Sequence, residues 1–308
     1  MSLYAALRGL GPSGFGFGST AEEVAAGLAL AGRTVLVTGC TSGLGQETLR
    51  VLAQRGATVL GTARTVEKAR AACAAAGGER AIPLACELSE PASVRACVAE
   101  VGRRGHRLDA IVCNAGIMAL PRREVAHGIE LQLFTNHVGH FLLVTGLLGR
   151  LTDDGRVVML SSEAHRRAPR EGIRFDDLGA ERSYSPWTAY GQSKLANLLF
   201  AKELARRLAG TRRTANAVHP GVIATNLGRH MPWIMRVALG VATPLVLKSI
   251  SQGAATQTWA AVHPAAASLS GTYLADCNVA RPRRDAEDPA LAARLWEVTE
   301  RIVARLPA

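Results

Sequence analysis

The chain predicts a doubly wound α/β fold, a seven-stranded parallel sheet with helices on both faces. From residue 33 onward seven short β-branched runs alternate with helix-length segments: "RTVLVTG", "ATVLGTA", "RAIPLAC", "LDAIVCN", "GRVVMLSS", "TANAVHP" and "GTYLAD". Strands joined by helical crossovers read this way. The first run passes through a glycine-rich turn straight into a helical pattern, and 308 residues with 48% hydrophobic content and a mean hydropathy of +0.12 suffice for a buried core.

The elements follow in order. Residues 1–30 form an N-terminal extension in which the alternating glycines of "GFGFG", with no strand before them, read as a flexible loop and not a phosphate cradle. "STAEEVAAGLAL" then offers a capping box, Ser19 with Glu22 or Thr20 with Glu23, ahead of a short helix. Residues 31–308 form a single domain with no internal repeat and no low-complexity linker, closed by a helix at about 288–305.

Composition narrows the function classes. The net charge of +11 invites a nucleic-acid partner, but the arginines fall in scattered pairs such as Arg103–Arg104 and Arg206–Arg207, without a long basic run or an aromatic stripe. No nucleic acid is expected. Cysteines 40, 73, 86, 97, 113 and 277 show no Cys-x-x-Cys and no His pairing at metal spacing. Reduced core thiols in a cytoplasmic protein are expected, with no metal. The opening residues lack the charged start and apolar core of a secretory leader, and the most apolar run, "VALGVATPLVL" at 237–247, is too short to span a bilayer.

Two places carry chemistry on residue grounds alone. The first strand runs into "TGCTSGLG", residues 38–45, where Gly39, Gly43 and Gly45 let the backbone turn tightly and approach a pyrophosphate at a helix N-terminus, as in a Rossmann-type dinucleotide site. The spacing Gly-x-x-x-Gly-x-Gly differs from the common Gly-x-Gly-x-x-Gly. The second strand ends in Ala63 and Arg64 with no Asp or Glu, which favours NADP(H) over NAD(H) because a 2′-phosphate needs a cation. In "TAYGQSKLANLLFAKEL", Tyr190 and Lys194 lie four residues apart, about 6 Å along a helix axis. They can act on one small object, or merely pack a phenol beside a lysine stem. Only four lysines occur, at 68, 194, 202 and 248, so one at 194 is notable.

At this point the chain resembles the short-chain dehydrogenases/reductases over about residues 30–280. The resemblance rests on "TGCTSGLG", "CELS", "CNAG" (113–116), "NHVGH" (136–140), "LSS" (160–162), "YGQSK" (190–194) and "HPGVIAT" (219–225), all in order. The details "SSEAH", "AVHPGVIATNLGRH" and "SQGAAT" are most similar to the branch holding retinol dehydrogenases, the WW-domain-containing oxidoreductase and plant chloroplast-envelope relatives.

The resemblance implies an NADPH-dependent oxidoreductase that reduces a carbonyl to an alcohol, or the reverse. Tyr190 would be the general acid, Lys194 would lower its pKa and bond the nicotinamide ribose, Ser162 would donate to the carbonyl oxygen, and Asn136 would hold a water chain to Lys194. Ser161 is the alternative to Ser162, and strand alternation allows only one of them to face the site. Gly39, Thr41, Ser42, Gly43, Leu44, Gly45 and Arg64 would line the cofactor with Glu87 and Leu88, where the family usually has Asp-Leu. Asn114, Ala115 and Gly116 would form a wall or mainly fix strand-end geometry, and Pro220, Gly221 and Thr225 would meet the nicotinamide end.

The apolar segment at about 226–250 stands where the family has a substrate lid, which implies a hydrophobic carbonyl or alcohol; core packing and peripheral membrane contact are the other readings. In this family the helix bearing Tyr190 packs on a partner's copy, so a homodimer or homotetramer is expected. The rival function is an NADP(H)-binding sensor or scaffold acting through partner proteins.

Overall fold

The computed structural model describes residues 9–223 and 247–307. Strands β1 (Thr34–Val37), β2 (Thr58–Ala63), β3 (Ala81–Ala85) and β4 (Leu108–Cys113) precede a small hairpin, β5 (Val125–Ala126) and β6 (Ile129–Glu130). Strands β7 (Leu151–Leu160), β8 (Thr214–His219), β9 (Tyr273–Ala275) and β10 (Asn278–Val279) complete the set. The main sheet runs β10-β9-β8-β7-β4-β1-β2-β3. Its seven expected strands are parallel, and β10 adds an eighth, antiparallel strand at the edge beside β9.

The eighth strand is hidden in the sequence because its turn lacks the usual signal. Asp276 and Cys277 both sit at positive φ, 51° and 60°, the geometry of a two-residue hairpin turn that Asn-Gly normally announces. The strand order reverses between β1 and β4, the switch point at which α/β folds of this kind form a ligand crevice beyond the carboxyl ends of the strands.

The helices are α1 (Ala21–Val24), α2 (Gly43–Gln54), α3 (Val66–Ala76), α4 (Pro91–Arg103), α5 (Leu131–Leu133), α6 (Gly139–Leu147), α7 (Pro186–Arg207), α8 (Ile250–Val262) and α9 (Pro289–Arg305). One apolar core lies between the sheet and α4, α6, α7 and α9, and the other between the sheet, α2, α3 and α8. All six cysteines are buried and free.

One expectation is corrected. The N-terminal loop is packed: Ser13 N–H donates to Asn278 Oδ1 (3.0 Å), Asn278 Nδ2 donates to the Phe15 carbonyl (3.0 Å), and Phe17 is buried. Partners some 265 residues away hold it, so nothing local announces the order. The capping box on α1 is the Thr20–Glu23 pair. The apolar faces of α7, the basis for expecting a homodimer or homotetramer, are covered within the chain by α9, where Phe200 stacks on Trp296 with centroids 5.5 Å apart. No helix among the described residues is long and apolar enough to cross a membrane.

Candidate active site

The glycine turn builds the first half of the site. Gly39 has φ +73°, and a Cβ there would lie 2.9 Å from the Ala115 Cα; at Gly45 a Cβ would meet the Gly39 carbonyl oxygen at 2.3 Å. Only glycine allows this approach of β1, β4 and α2. Thr38 tightens it by accepting from the Ala115 N–H (2.9 Å), and Asn114 Nδ2 donates to the Thr38 carbonyl (2.8 Å). Asn114, Ala115 and Gly116 thus do hold the strand ends together, and the Gly116 Cα faces the gap between Asn136 and Lys194.

Helix α2 begins at Gly43, and its N-cap Ser42 makes no side-chain cap bond; no acidic residue stands in its first turn. Thr41 and Ser42 are exposed, and Leu44 is buried beneath them. The first N–H groups of the helix are left for an acceptor on the crevice side, which fits a pyrophosphate. At the end of β2 the Arg64 side chain is exposed, with Nε 3.9 Å from Glu87 Oε2. Glu87 also accepts from the Ser89 hydroxyl at 2.9 Å, and Leu88 is buried. Pro220 is buried, and Gly221 follows it against the Lys248 side chain. Thr225 and residues 226–246 of the expected lid lie outside the described residues.

The second half is built from β7, α7 and the helical run after β6. Ser161 and Ser162 face opposite ways as strand alternation requires: Ser161 Oγ donates to the Lys194 carbonyl (2.8 Å), whereas the Ser162 hydroxyl accepts from the Ala164 N–H (3.2 Å) and lies near enough to the Tyr190 phenol to pull its pKa down. Lys194 is buried, its Nζ donating to the Leu160 carbonyl (3.0 Å) and standing 5.6 Å from the centre of the Tyr190 ring. Asn136 lies in a π-helical turn, Phe134–Val138, a widening common at functional positions. Its amide is committed to the Ile117 backbone, accepting from N–H (2.8 Å) and donating to C=O (2.9 Å), and to Ser193 Oγ (2.9 Å). The Asn136 amide and the Lys194 ammonium both lie close beside Gly116.

The electrostatics depart from the sequence expectation. Burial pushes the Tyr190 phenol up to about 12, against the opposing pull of the Ser162 hydroxyl. Burial also pushes Lys194 down to about 8. The Lys194 ammonium is turned toward the Leu160 carbonyl and stands beside the Tyr190 ring. A phenol held protonated at neutral pH is in the state of a proton donor. His137 Nε2 lies 3.0 Å from Thr299 Oγ1 and His140 Nε2 lies 2.9 Å from Thr38 Oγ1, and no cluster of three potential metal ligands occurs among the described residues.

Phenol, serine hydroxyl and lysine ammonium thus converge at the mouth of a dinucleotide-type crevice, and the family follows from comparison. The model of the short chain dehydrogenase family matches residues 33–174. A short-chain dehydrogenase TIC 32 A, chloroplastic, of Brassica napus is 40% identical over 100% of both chains. The chain belongs to the short-chain dehydrogenase/reductase family. It is 37% identical to retinol dehydrogenase 14 of Homo sapiens over 89% of this chain and 87% of that one. An uncharacterized protein from Mycobacterium Paratuberculosis has a TM-score of 0.75 at 38% identity, covering 94% of this chain and 100% of its own. A Burkholderia cenocepacia short chain dehydrogenase in complex with NADP has a TM-score of 0.64 at 26% identity, covering 80% and 97%.

Sequence reasoning overlooked Thr38 and Gln257. Thr38 was legible as the hydroxyl directly before the glycine turn. Gln257, which donates to Thr48 Oγ1 (2.6 Å) and Asn114 Oδ1 (3.2 Å), comes from α8 and has no local signal.

Proposed function

We propose that this oxidoreductase reduces a hydrophobic ketone or aldehyde with NADPH, or runs the reverse oxidation. The observation that carries the reading is the buried Tyr190 phenol with the Ser162 hydroxyl and the Lys194 ammonium beside it. Tyr190 gives its proton to the substrate oxygen, Ser162 donates a hydrogen bond to the same oxygen, and Lys194 supplies positive charge beside them. The reduced nicotinamide supplies the hydride.

Gly39, Thr41, Ser42, Gly43, Leu44 and Gly45 would receive the pyrophosphate, with Glu87, Leu88 and Asn114 to Gly116 along the adenosine side and Pro220, Gly221 and Thr225 toward the nicotinamide. Arg64 supports NADPH because it is exposed at the strand end where no carboxylate stands on the strand itself. The neighbour solved with NADP and the retinol dehydrogenase relative support cofactor and substrate class. The test is oxidation of NADPH and NADH with retinal, steroid ketones and aromatic aldehydes, by the native protein and by Tyr190→Phe. Turnover with NADPH that vanishes in the variant is expected. Tight NADPH binding without turnover of any carbonyl overturns the reading and leaves the sensor or scaffold.

A further inference from the structure

Two fully buried histidines that the reaction above leaves unused stand in the same relation to two residues of the site, Asn136 and Ser162. His140 Nδ1 lies 2.9 Å from the main-chain carbonyl oxygen of Asn136, four residues earlier. His165 Nδ1 lies 2.6 Å from that of Ser162, three residues earlier. A carbonyl oxygen only accepts, so in both rings the proton is on Nδ1.

The far nitrogens are determined in turn. The Arg283 backbone N–H donates to His165 Nε2 (3.0 Å), which must therefore be bare. His140 Nε2 lies 2.9 Å from Thr38 Oγ1, whose oxygen already accepts from Ala115 N–H; the hydroxyl proton is turned to the ring. Burial pushes His140 down to about 4 and His165 in the same direction, which keeps both rings neutral at pH 7. The charged or titratable groups facing them are Lys194 and His137 for His140, and Glu163, Arg166, Arg283 and Tyr273 for His165. His219 provides a contrast: its Nδ1 accepts from Glu163 N–H (3.2 Å), so its proton is on Nε2.

We propose that His140 and His165 are paired positioning residues, each a neutral Nδ1–H imidazole that fixes the main chain of a site residue against a distant element. His140 ties Asn136 to Thr38 at the glycine turn. His165 ties Ser162 to Arg283, in the segment between β10 and α9. The need is physical: Asn136 lies in a π-helical turn, and Ser162 caps a short 3₁₀ turn at a strand end, where its carbonyl accepts from the His165 backbone N–H (3.0 Å) as well as facing that ring, so neither stands in regular α-helix or sheet. A shift of about 1 Å in a reacting group costs on the order of 10²-fold in rate. The proposal rests on the reading of Asn136 and Ser162 given above.

The test uses the full chain with ¹⁵N-labelled histidine, without and with NADPH, in long-range ¹H–¹⁵N spectra at pH 7. Expected are Nδ1–H signals for His140 and His165 and an Nε2–H signal for His219. In turnover, His140→Leu and His165→Leu should each lose about 10²-fold in kcat with little change in KM for NADPH. His140→Asn and His165→Asn, whose amide N–H takes the place of Nδ1–H, should recover at least about tenfold of that loss. An Nε2–H or doubly protonated ring at 140 or 165, a Leu variant with native kcat, or Asn variants no better than Leu overturns the proposal. If a Leu variant does not fold, the native spectra and the Asn variants still decide. Both Nδ1–H signals in a protein without turnover break the functional reading; turnover with the wrong tautomer breaks the histidine pair alone.

Discussion

The two walls of the crevice are built on opposite principles. On the glycine-turn side the polar groups face outward and are largely unspent: Thr41 and Ser42 are exposed, α2 starts without a side-chain cap, and Arg64 projects from the end of β2 with Glu87 3.9 Å away. On the α7 side they are interior and spoken for, with Asn136, Ser161, Ser193 and Lys194 all buried and each bonded to a backbone carbonyl or side chain. A wall of unspent donors can receive a ligand without rearrangement, whereas a wall of satisfied buried groups sets the protonation states of chemistry and is inseparable from the core.

The comparison breaks most visibly at Tyr190. Tyr190→Phe removes the acid while leaving the outward wall intact, so kcat should fall about 10³-fold or more with NADPH binding unchanged by fluorescence titration. A variant that keeps a tenth of native turnover sinks the assignment. Next in size, Trp296→Ala strips the aromatic cover from α7, where Trp296 packs on Phe141 (4.8 Å) and Phe200 (5.5 Å). Denaturant unfolding should show a loss of about 3–5 kcal/mol. Light scattering of the same variant sharpens the oligomer question: newly formed dimers would mean that α9 is what keeps the helix face closed.

Acid should also weaken the inner wall. Burial holds His137 at about 3 and His140 and His219 at about 4, below the unfolded value of about 6.5. Between these values the unfolded chain binds more protons, so stability is fully present above pH 6.5 and is lost as pH falls toward 4. From pH 6.5 to 5 each such histidine withdraws about 2 kcal/mol. A melting temperature unchanged over that interval contradicts the burial of these rings. The smallest effect belongs to the outward wall: Arg64→Ala should weaken NADPH about tenfold and leave NADH as it was, with no change in melting temperature. Equal weakening of both cofactors removes Arg64 from the 2′-phosphate.

The same division decides what could be read from residues alone. Periodicity and turn chemistry are local, and they yielded the seven parallel strands, the glycine turn, the Tyr190–Lys194 spacing and the opposite facing of Ser161 and Ser162. Long-range contacts decided the rest. Asn278 orders the N-terminal loop from the far end of the chain, an Asp-Cys turn carries an unannounced eighth strand, and α9 lays Trp296 on Phe200 of α7. The direction of the Tyr190 shift belongs to this second class as well. Spacing along a helix predicts that an ammonium and a phenol are neighbours, but desolvation and the carbonyl that captures the ammonium depend on what the remaining chain packs around them.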